Sequence, residues 1–191
     1  HGEGFIIPPL KVIERNEPVE AAWDLIRANV RMSRVVTMDN MVVFGAMEKA
    51  EERLISLCDK YGVDTVKSTI DEIIDRTERA MGEAIKKIPE GSYKGASATD
   101  WDGTVDKPVR IRVILAVKHK PEPHLIIDFS ESDKQVSFVN MPLGQVYAEV
   151  FTALFFSLGR GTIPRNEGAY RPIAIIAPEG TVVGPRYPAT V

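Results

Sequence analysis

The sequence predicts an α+β fold, in which an N-terminal antiparallel helical layer is followed by a mixed or antiparallel sheet with a buried helix. Two observations support this. Apolar residues recur at helical spacing up to residue 88, and from Gly91 onward the apolar period shortens toward two, as in half-buried strands. Pro89 and Gly91 mark the change of period. The chain therefore divides into an extended lead-in at 1–17, a helical part at 18–89 and an α+β part at 90–191.

The apolar spacing of the first part predicts three helices, at 19–32, 39–61 and 64–88. Gly62 ends the second helix, because glycine readily adopts the conformation that follows a helix C-terminus. Cys58 lies on the apolar stripe of that helix. Its position favours a packed core thiol over a nucleophile.

The second part is predicted to contain strands and one helix. The strands are expected at 92–100, around 109–115, at 125–129 and at 173–177, and the apolar helix at 144–158. Asp102 and Gly103 indicate a turn between the first two strands.

Composition and charge exclude several functional classes. The net charge of −3 gives no reason to expect nucleic acid or an anionic membrane as partner. No apolar run approaches the roughly 18–20 residues that a bilayer-spanning helix requires. Cys58 is the only cysteine, so an internal disulfide is impossible and a reducing, cytoplasmic location is expected.

Motifs that would carry chemistry are missing from the sequence. It contains neither the HExxH pattern of zinc hydrolases, nor the GxxxxGK phosphate loop, nor the GxSxG nucleophile elbow. His119 and His124 lie in a turn rich in lysine and proline, which favours solvated surface residues over metal ligands. The sequence therefore predicts neither a catalytic residue nor a metal ligand in this segment.

Two polar segments remain as candidates. Asp128, Glu131 and Asp133 follow a strand, where catalytic carboxylates can lie, although a solvated turn is the favoured interpretation. The loop at 162–171 lies between a buried helix and a buried strand, a setting in which loops often contact ligands. Arg165, Asn166 and Arg171 in this loop are the candidate substrate- or partner-binding residues, because their donor geometry suits carboxylate, phosphate or amide groups. The alternative is that Asn166 and Arg171 only hold the loop to the protein itself.

Four segments of the sequence resemble segments of one known family, and they occur along the chain in the same order as in that family. They are Glu3-Gly4-Phe5-Ile6-Ile7-Pro8-Pro9-Leu10-Lys11, Ala28-Asn29-Val30-Arg31, Asp128-Phe129-Ser130 with Ser132, Gln135, Val136, Asn140 and Pro142, and Asn166-x-Gly168-x-x-Arg171-Pro172-Ile173 with Ala177-Pro178-x-Gly180-Thr181. Together these are similar to the hydantoinase B/oxoprolinase family. Glu131 and Lys134 stand where that family commonly has Gly and Pro, and Gly184 stands where Asn is usual.

The resemblance implies an internal, single fragment of a larger subunit. It implies a parent enzyme that is an ATP-dependent hydrolase of hydantoin or 5-oxoproline, or an acetone-type carboxylase. ATP and a divalent metal would be bound outside this segment, and an A-type, ATP-binding subunit would be the partner in a hetero-oligomer. Two other classes stay open: a non-catalytic interaction or regulatory domain, and a small-molecule binding module that uses the loop at 162–171.

We expect the isolated 191-residue chain to have no ATPase, lactamase or carboxylase activity, because it lacks a nucleotide motif. The measurement is phosphate release and substrate turnover by the purified chain. Turnover above that of a heat-inactivated sample, with contaminating enzymes excluded, would contradict this expectation.

Overall fold

The computed structural model describes residues 7–159, 161–187 and 189. The predicted α+β class is confirmed, since helices come first along the chain and a four-stranded mixed sheet follows. The chain forms two compact units, His1–Ser68 and Thr69–Val191, whose boundary falls inside a helix and not at the change of period near Gly91. Residues 1–6, which belong to the predicted lead-in, lie outside the described residues.

A short hairpin opens the first unit. Strand β1 (Ile13–Glu14) pairs with the antiparallel strand β2 (Glu17–Pro18). The two residues between them, Arg15 and Asn16, both have positive φ angles, of 52° and 65°. This combination is typical of the tight turn that matches the twist of a two-stranded ribbon. The sequence prediction described residues 1–17 only as extended and began the helical part at Pro18, which instead lies in β2.

Trp23 anchors the first unit. It lies in helix α1 (Glu20–Asn29) and is only 1% exposed. Its indole Nε1 donates a hydrogen bond to the Val12 carbonyl oxygen at 2.9 Å, and its ring meets that of Phe44 edge-on at 5.9 Å. A buried indole requires such a polar partner for its N–H group. One side chain therefore ties the chain before the hairpin to two helices.

Helix α2 (Ser33–Tyr61) starts six residues earlier than predicted. The break from α1 is confined to the residues around Met32, whose φ of 52° is left-handed. None of the residues of α2, all within the described ranges, is buried. The expectation that Cys58 lies in a packed core is therefore wrong, since Cys58 is half-buried.

The second unit is built on a mixed sheet. Helix α3 (Val63–Ile85) leads into it, and the strands are β3 (Gly91–Thr99), β4 (Val109–Lys118), β5 (His124–Asp128) and β6 (Ile173–Ile176). The first three strands pair antiparallel in sequence order, and β6 is parallel to β5. These bounds agree with the predicted strands to within one to three residues.

Strand β3 is one edge of this sheet. All nine of its residues are exposed, and it pairs along its whole length with β4 on one side. Asp102 follows it in the predicted turn, where its Oδ1 atom accepts hydrogen bonds from the backbone N–H groups of Thr104 and Val105. These two bonds lower the pKa of the Asp102 carboxyl group.

The core of the second unit consists of two apolar clusters on one face of the sheet. The first contains buried Met81, Ile85, Val117, Leu125, Phe155 and Ala169. The second contains Val109, Val146, Val182 and Val183. Helix α4 (Leu143–Leu154) contributes to both through its apolar face, as the sequence predicted for a helix on the sheet. No helix in the described ranges is both long and apolar enough to cross a bilayer.

The segment after α4 differs from the prediction of one helix at 144–158. Phe155–Gly159 winds as a π-helix, and a short helix α5 (Glu167–Tyr170) occupies part of the predicted loop at 162–171. Gly168 in α5 touches the backbone of α3, since a Cβ atom built on it would lie 2.0 Å from the Ile74 carbonyl oxygen. Only glycine allows this approach.

We expect Gly168→Ala to lower the free energy of unfolding by about 3 kcal/mol, because the added methyl group would collide with backbone that cannot rotate away. Gly144→Ala is the matched control: it lies in α4, and its Cβ atom would meet nothing within 4 Å. The control should be stabilised by about 0.5 kcal/mol. Urea denaturation of the two variants measures the difference, and equal stability would contradict the close contact.

Candidate functional site

Asn166 joins α5 to α3. Its Oδ1 atom accepts a hydrogen bond from the Gly168 N–H group at 3.0 Å and so caps α5. Its Nδ2 atom donates to the Thr77 hydroxyl oxygen at 3.0 Å, and that hydroxyl group donates to the Ile73 carbonyl oxygen at 2.8 Å. Thr77 is buried. Both ends of the Asn166 amide therefore bond to the protein itself.

Arg171 lies one residue beyond α5 and pairs with two carboxylates of α3. Its Nη1 atom lies 3.1 Å from Asp75 Oδ1 and 2.9 Å from Glu78 Oε2. The hydrogen bonds to Glu78 and Asp75 raise the pKa of the guanidinium group above its ordinary value. The three residues line an open groove of about 690 Å³ together with the turn at 121–124. Arg171 thus braces α5 and remains partly exposed at the groove.

Arg165 points to a different place. Its guanidinium carbon lies 5.2 Å from the centre of the Phe155 ring, a cation–π distance. The two residues line a pocket of about 520 Å³ with Phe156, Gly161 and Ile163. Phe156 is strongly exposed there. The structure therefore separates Arg165 from the groove that Arg171 lines.

The two histidines are better supported than the sequence indicated. The Nε2 atom of His119 lies 2.9 Å from the Ile88 carbonyl oxygen, and its backbone N–H group donates to Glu90 Oε1 at 2.7 Å. His124 Nδ1 lies 2.8 Å from the Glu122 carbonyl oxygen. Both residues are half-buried, so they are less exposed than the sequence indicated. They hold the β4–β5 turn, with His119 joining it to the segment after α3.

Two loops meet at the carboxyl ends of the parallel strands β5 and β6. The loop at 129–142 follows β5, and the loop at 177–184 follows β6. Backbone bonds run between them in both directions, since Gln135 donates to Gly180 and Val182 donates to Asp133. Loops at this edge of parallel strands are common positions for ligand contacts. Sequence reasoning treated the two segments separately because their contact depends on the parallel pairing of β5 with β6.

Asp133 fastens the first of these loops to β4. Its Oδ2 atom accepts a hydrogen bond from the Arg110 N–H group, and its Oδ1 atom accepts one from Arg112 Nη1, each at 2.9 Å. The backbone bond from Arg110, followed by the bond and charge of Arg112, lowers the pKa of the Asp133 carboxyl group. Ser132 adds bonds to both backbone groups of Arg112. The side chains of Asp133 and Ser132 therefore fix the loop at 129–142 to β4.

The other two carboxylates of the acidic segment take no part in a common cluster. Asp128 Oδ1 accepts a bond from the Ser130 N–H group within its own turn, and Glu131 lies 3.9 Å from Lys94. In the ranges that the structure covers, no three His, Cys, Asp or Glu side chains come together as a metal site would require. The described residues therefore offer a divalent metal no ready set of ligands.

Gly184 closes the second loop. A Cβ atom on it would lie 2.6 Å from the Pro178 carbonyl oxygen, and its own carbonyl oxygen accepts a bond from the Gly180 N–H group at 2.7 Å. The loop thus folds back on itself, with Gly180 at a φ of 85°. A larger residue at position 184 would require a more open turn here.

The sequence model of the hydantoinase B/oxoprolinase family matches residues 1–191. This chain belongs to that family. Among its relatives are the B subunit of a putative D-/L-hydantoinase of Pseudomonas sp. (strain NS671), 32% identical over 99% of the chain, and the beta subunit of the caprolactamase of Pseudomonas jessenii, 30% identical over 99%. The chain spans about a third of the length of these two relatives, 33% and 32% respectively.

Two solved structures share the fold of this chain. The ATP-dependent caprolactamase from Pseudomonas jessenii superposes with a TM-score of 0.78 at 28% identity, over 98% of this chain and 32% of that one. A nucleotide-free acetone carboxylase gives a TM-score of 0.80 over 100% of this chain and 26% of that one. At 14% identity the second likeness shows a shared fold only.

The four segments with which the sequence resembles the hydantoinase B/oxoprolinase family have different structural positions. Part of the first lies outside the described residues, and the second falls at the end of α1. The third includes most of the loop after β5. The fourth runs from the Asn166 cap to the loop after β6. The functional role of Asn166, Arg171 and Arg165 stays a prediction.

We expect the Asp133 bonds to make stability depend on pH. Because folding lowers the pKa of Asp133, these bonds stabilise the fold above the unfolded-state value of about 3.9 and cease to do so as pH falls through the folded-state value. Asp133→Asn should lower the free energy of unfolding by about 1 kcal/mol at pH 7 and by less near pH 3, where part of the stabilisation by the charged carboxylate has been lost. Denaturation at both pH values measures this, with the exposed Asp106→Asn as control. An equal loss at both pH values would contradict the role of the charge.

We predict that any functional contact of this segment centres on Asn166, Arg171 and Arg165, and a substitution of Arg171 tests this. Arg171→Lys keeps the charge and loses the planar fork. In the full-length protein with its proposed partner, we expect turnover to fall about tenfold, as the loss of one charge-assisted hydrogen bond would give. The melting temperature should change little, because both ion pairs of Arg171 are partly exposed and Lys keeps the charge. If stability falls and turnover per folded molecule is intact, Arg171 only braces α5 against Asp75 and Glu78.

Proposed function

We propose that this chain is a segment of the B-type subunit of an ATP-dependent cyclic amide hydrolase of the hydantoin or 5-oxoproline type. The observation that carries the proposal is the 32% identity to the B subunit of a putative hydantoinase over 99% of the chain. The likeness to a caprolactamase, in sequence and in structure, adds a second relative that is named for a cyclic amide. A related ketone carboxylase is the alternative, supported by 23% identity to the delta subunit of an acetophenone carboxylase over 68% of the chain.

The proposed reaction explains why two subunits and ATP are needed. An unstrained cyclic amide resists attack by water because resonance stabilises its carbonyl group. Transfer of the γ-phosphoryl group of ATP to the carbonyl oxygen turns that oxygen into a good leaving group. One water then adds to the carbon, and the ring C–N bond breaks to leave an acyl phosphate. A second water hydrolyses the acyl phosphate, which releases phosphate and the ring-opened carboxylic acid. We assign ATP and its divalent metal to an A-type partner subunit.

The described residues support a scaffolding role for this segment within the B-type subunit. The loops after β5 and β6 are held by backbone hydrogen bonds and by the side chains of Asp133, Ser132 and Gln135. The side-chain oxygen of Gln135 accepts a hydrogen bond from the Arg186 N–H group at 2.7 Å. Rigid loops of this kind keep neighbouring groups in a fixed geometry. We further propose that the enzyme is cytoplasmic, on the basis of the single cysteine in this 191-residue chain.

The test uses the full-length subunit co-expressed with its A-type partner. We expect phosphate release that depends on hydantoin, 5-oxoproline or caprolactam, with one ring-opened carboxylic acid formed per phosphate. Omission of either subunit should abolish it. Phosphate release that depends instead on a ketone and bicarbonate would select the carboxylase. If the assembled complex consumes no ATP with either class, the segment belongs to a non-catalytic protein or to a small-molecule binding module.

A further inference from the structure

A buried amide closes a tight turn in the loop that follows β5. The Asn140 side chain is buried, its Oδ1 atom accepts a hydrogen bond from the Val136 N–H group at 2.9 Å, and its Nδ2 atom donates to the Val136 carbonyl oxygen at 2.8 Å. The Met141 N–H group then donates to the Val182 carbonyl oxygen at 2.7 Å. The turn at 136–140 is therefore closed by its own side chain and fixed to the loop after β6.

Val139, inside this turn, has a left-handed backbone conformation with a φ of 57°. A β-branched residue is strained there, because its Cβ atom crowds the carbonyl oxygen that follows, whereas glycine or asparagine adopts this conformation at a lower cost. Burial does not offset the strain within the described residues, since the Val139 side chain is exposed and belongs to neither apolar cluster. Strained residues of this kind persist where the surrounding structure fixes them, and they are concentrated at sites that bind ligands.

The turn at 136–140 lies where ligands commonly bind in sheets with parallel strands. β5, α4 and β6 form a strand–helix–strand unit, and the turn belongs to the loop that leaves the carboxyl end of β5. Ligand sites in such units lie outside the carboxyl ends of the strands. Phe138 packs against the turn between β3 and β4, since a Cβ atom on Gly103 would lie 3.1 Å from the Phe138 Cβ atom. The turn therefore combines a fixed shape with a position that suits a substrate.

We propose that Val139 contacts the apolar part of the cyclic amide ring and that Asn140 is the residue that positions it. This inference rests on the proposed function. The valine side chain offers the ring methylene groups an apolar contact, and the two bonds of Asn140 hold that side chain in place before the substrate arrives. A contact that is already in place loses less entropy on binding. Val139 thus discriminates among cyclic amides by the apolar part of their ring.

Replacement of Val139 by glycine separates its side chain from its backbone conformation. Val139→Gly keeps the left-handed turn and removes the strain, so the melting temperature of the full-length subunit with its proposed A-type partner should not fall. The kcat/KM for the cyclic amide should fall about tenfold, as the loss of one apolar contact in a substrate site would give. Among the amides that the wild-type complex accepts, the loss should be largest for the ring with most methylene groups.

Arg15→Gly is the matched control for this variant. Arg15 is also left-handed, with a φ of 52°, and lies in the turn between β1 and β2. Its replacement by glycine makes the same change of backbone freedom outside the loop after β5. Both the melting temperature and kcat/KM should stay unchanged.

A double-mutant cycle tests the positioning role of Asn140. Asn140→Asp keeps the shape of the side chain, but an ionised carboxylate cannot donate to the Val136 carbonyl oxygen. Its kcat/KM at neutral pH should be about tenfold below that of the wild type, as the loss of one buried hydrogen bond would give. The difference should shrink as pH falls, because the protonated acid again supplies a donor and an acceptor. Since Asn140 acts through Val139, adding Val139→Gly should cause no further loss.

The outcomes separate this inference from the proposed function. A wild-type complex that hydrolyses cyclic amides, together with a Val139→Gly variant of equal kcat/KM, would overturn the inference and leave the proposed function intact. A lower melting temperature of Val139→Gly with unchanged kcat/KM would place Val139 against another part of the subunit and would also overturn it. Additive losses in the double variant would overturn the positioning role of Asn140. A wild-type complex that hydrolyses no cyclic amide would contradict the proposed function, and this inference with it.

Discussion

The second unit depends on the contact between α5 and α3. The backbone of Gly168 lies directly against the Ile74 carbonyl oxygen, and the Asn166 amide and the Arg171 guanidinium group hold the two helices on either side of that contact. Beneath it, Ala169 is fully buried with residues of α3, β4 and β5. Strand β6 starts three residues after α5, so this contact also places the strand that pairs in parallel with β5.

The position of β6, which the contact between α5 and α3 sets, also determines where the loops after β5 and β6 lie. Because β5 and β6 run in parallel, the segments that follow them emerge at one edge of the sheet and can bond to each other through their backbones. Polar side chains of the kind that carry chemistry, such as Asp133 and Ser132, bond there to β4. In the described residues, these side chains therefore serve to fix the shape of the loops.

The elements with a clear apolar period were predictable from sequence, and the sites that depend on distant partners were not. Periodicity located the four strands of the sheet and the main helices, because each of these elements repeats one spacing over several turns or residues. It missed α5, which is four residues long, and the hairpin turn at Arg15 and Asn16. The partners of Asn166 and Arg171 lie 89 to 96 residues away along the chain, so no local pattern could identify them.

The exposed strand β3 gives the sheet an open end. Nine residues bond to β4 on one side, and the backbone groups that point the other way span roughly 30 Å at the spacing of an extended strand. Its only charged residue is Lys94, whereas many natural edges are protected by several charges or a proline. A strand from another polypeptide could extend the sheet here by backbone bonding alone, largely independent of its side chains. Storage of the purified chain at high concentration therefore favours β-sheet aggregation starting from this edge.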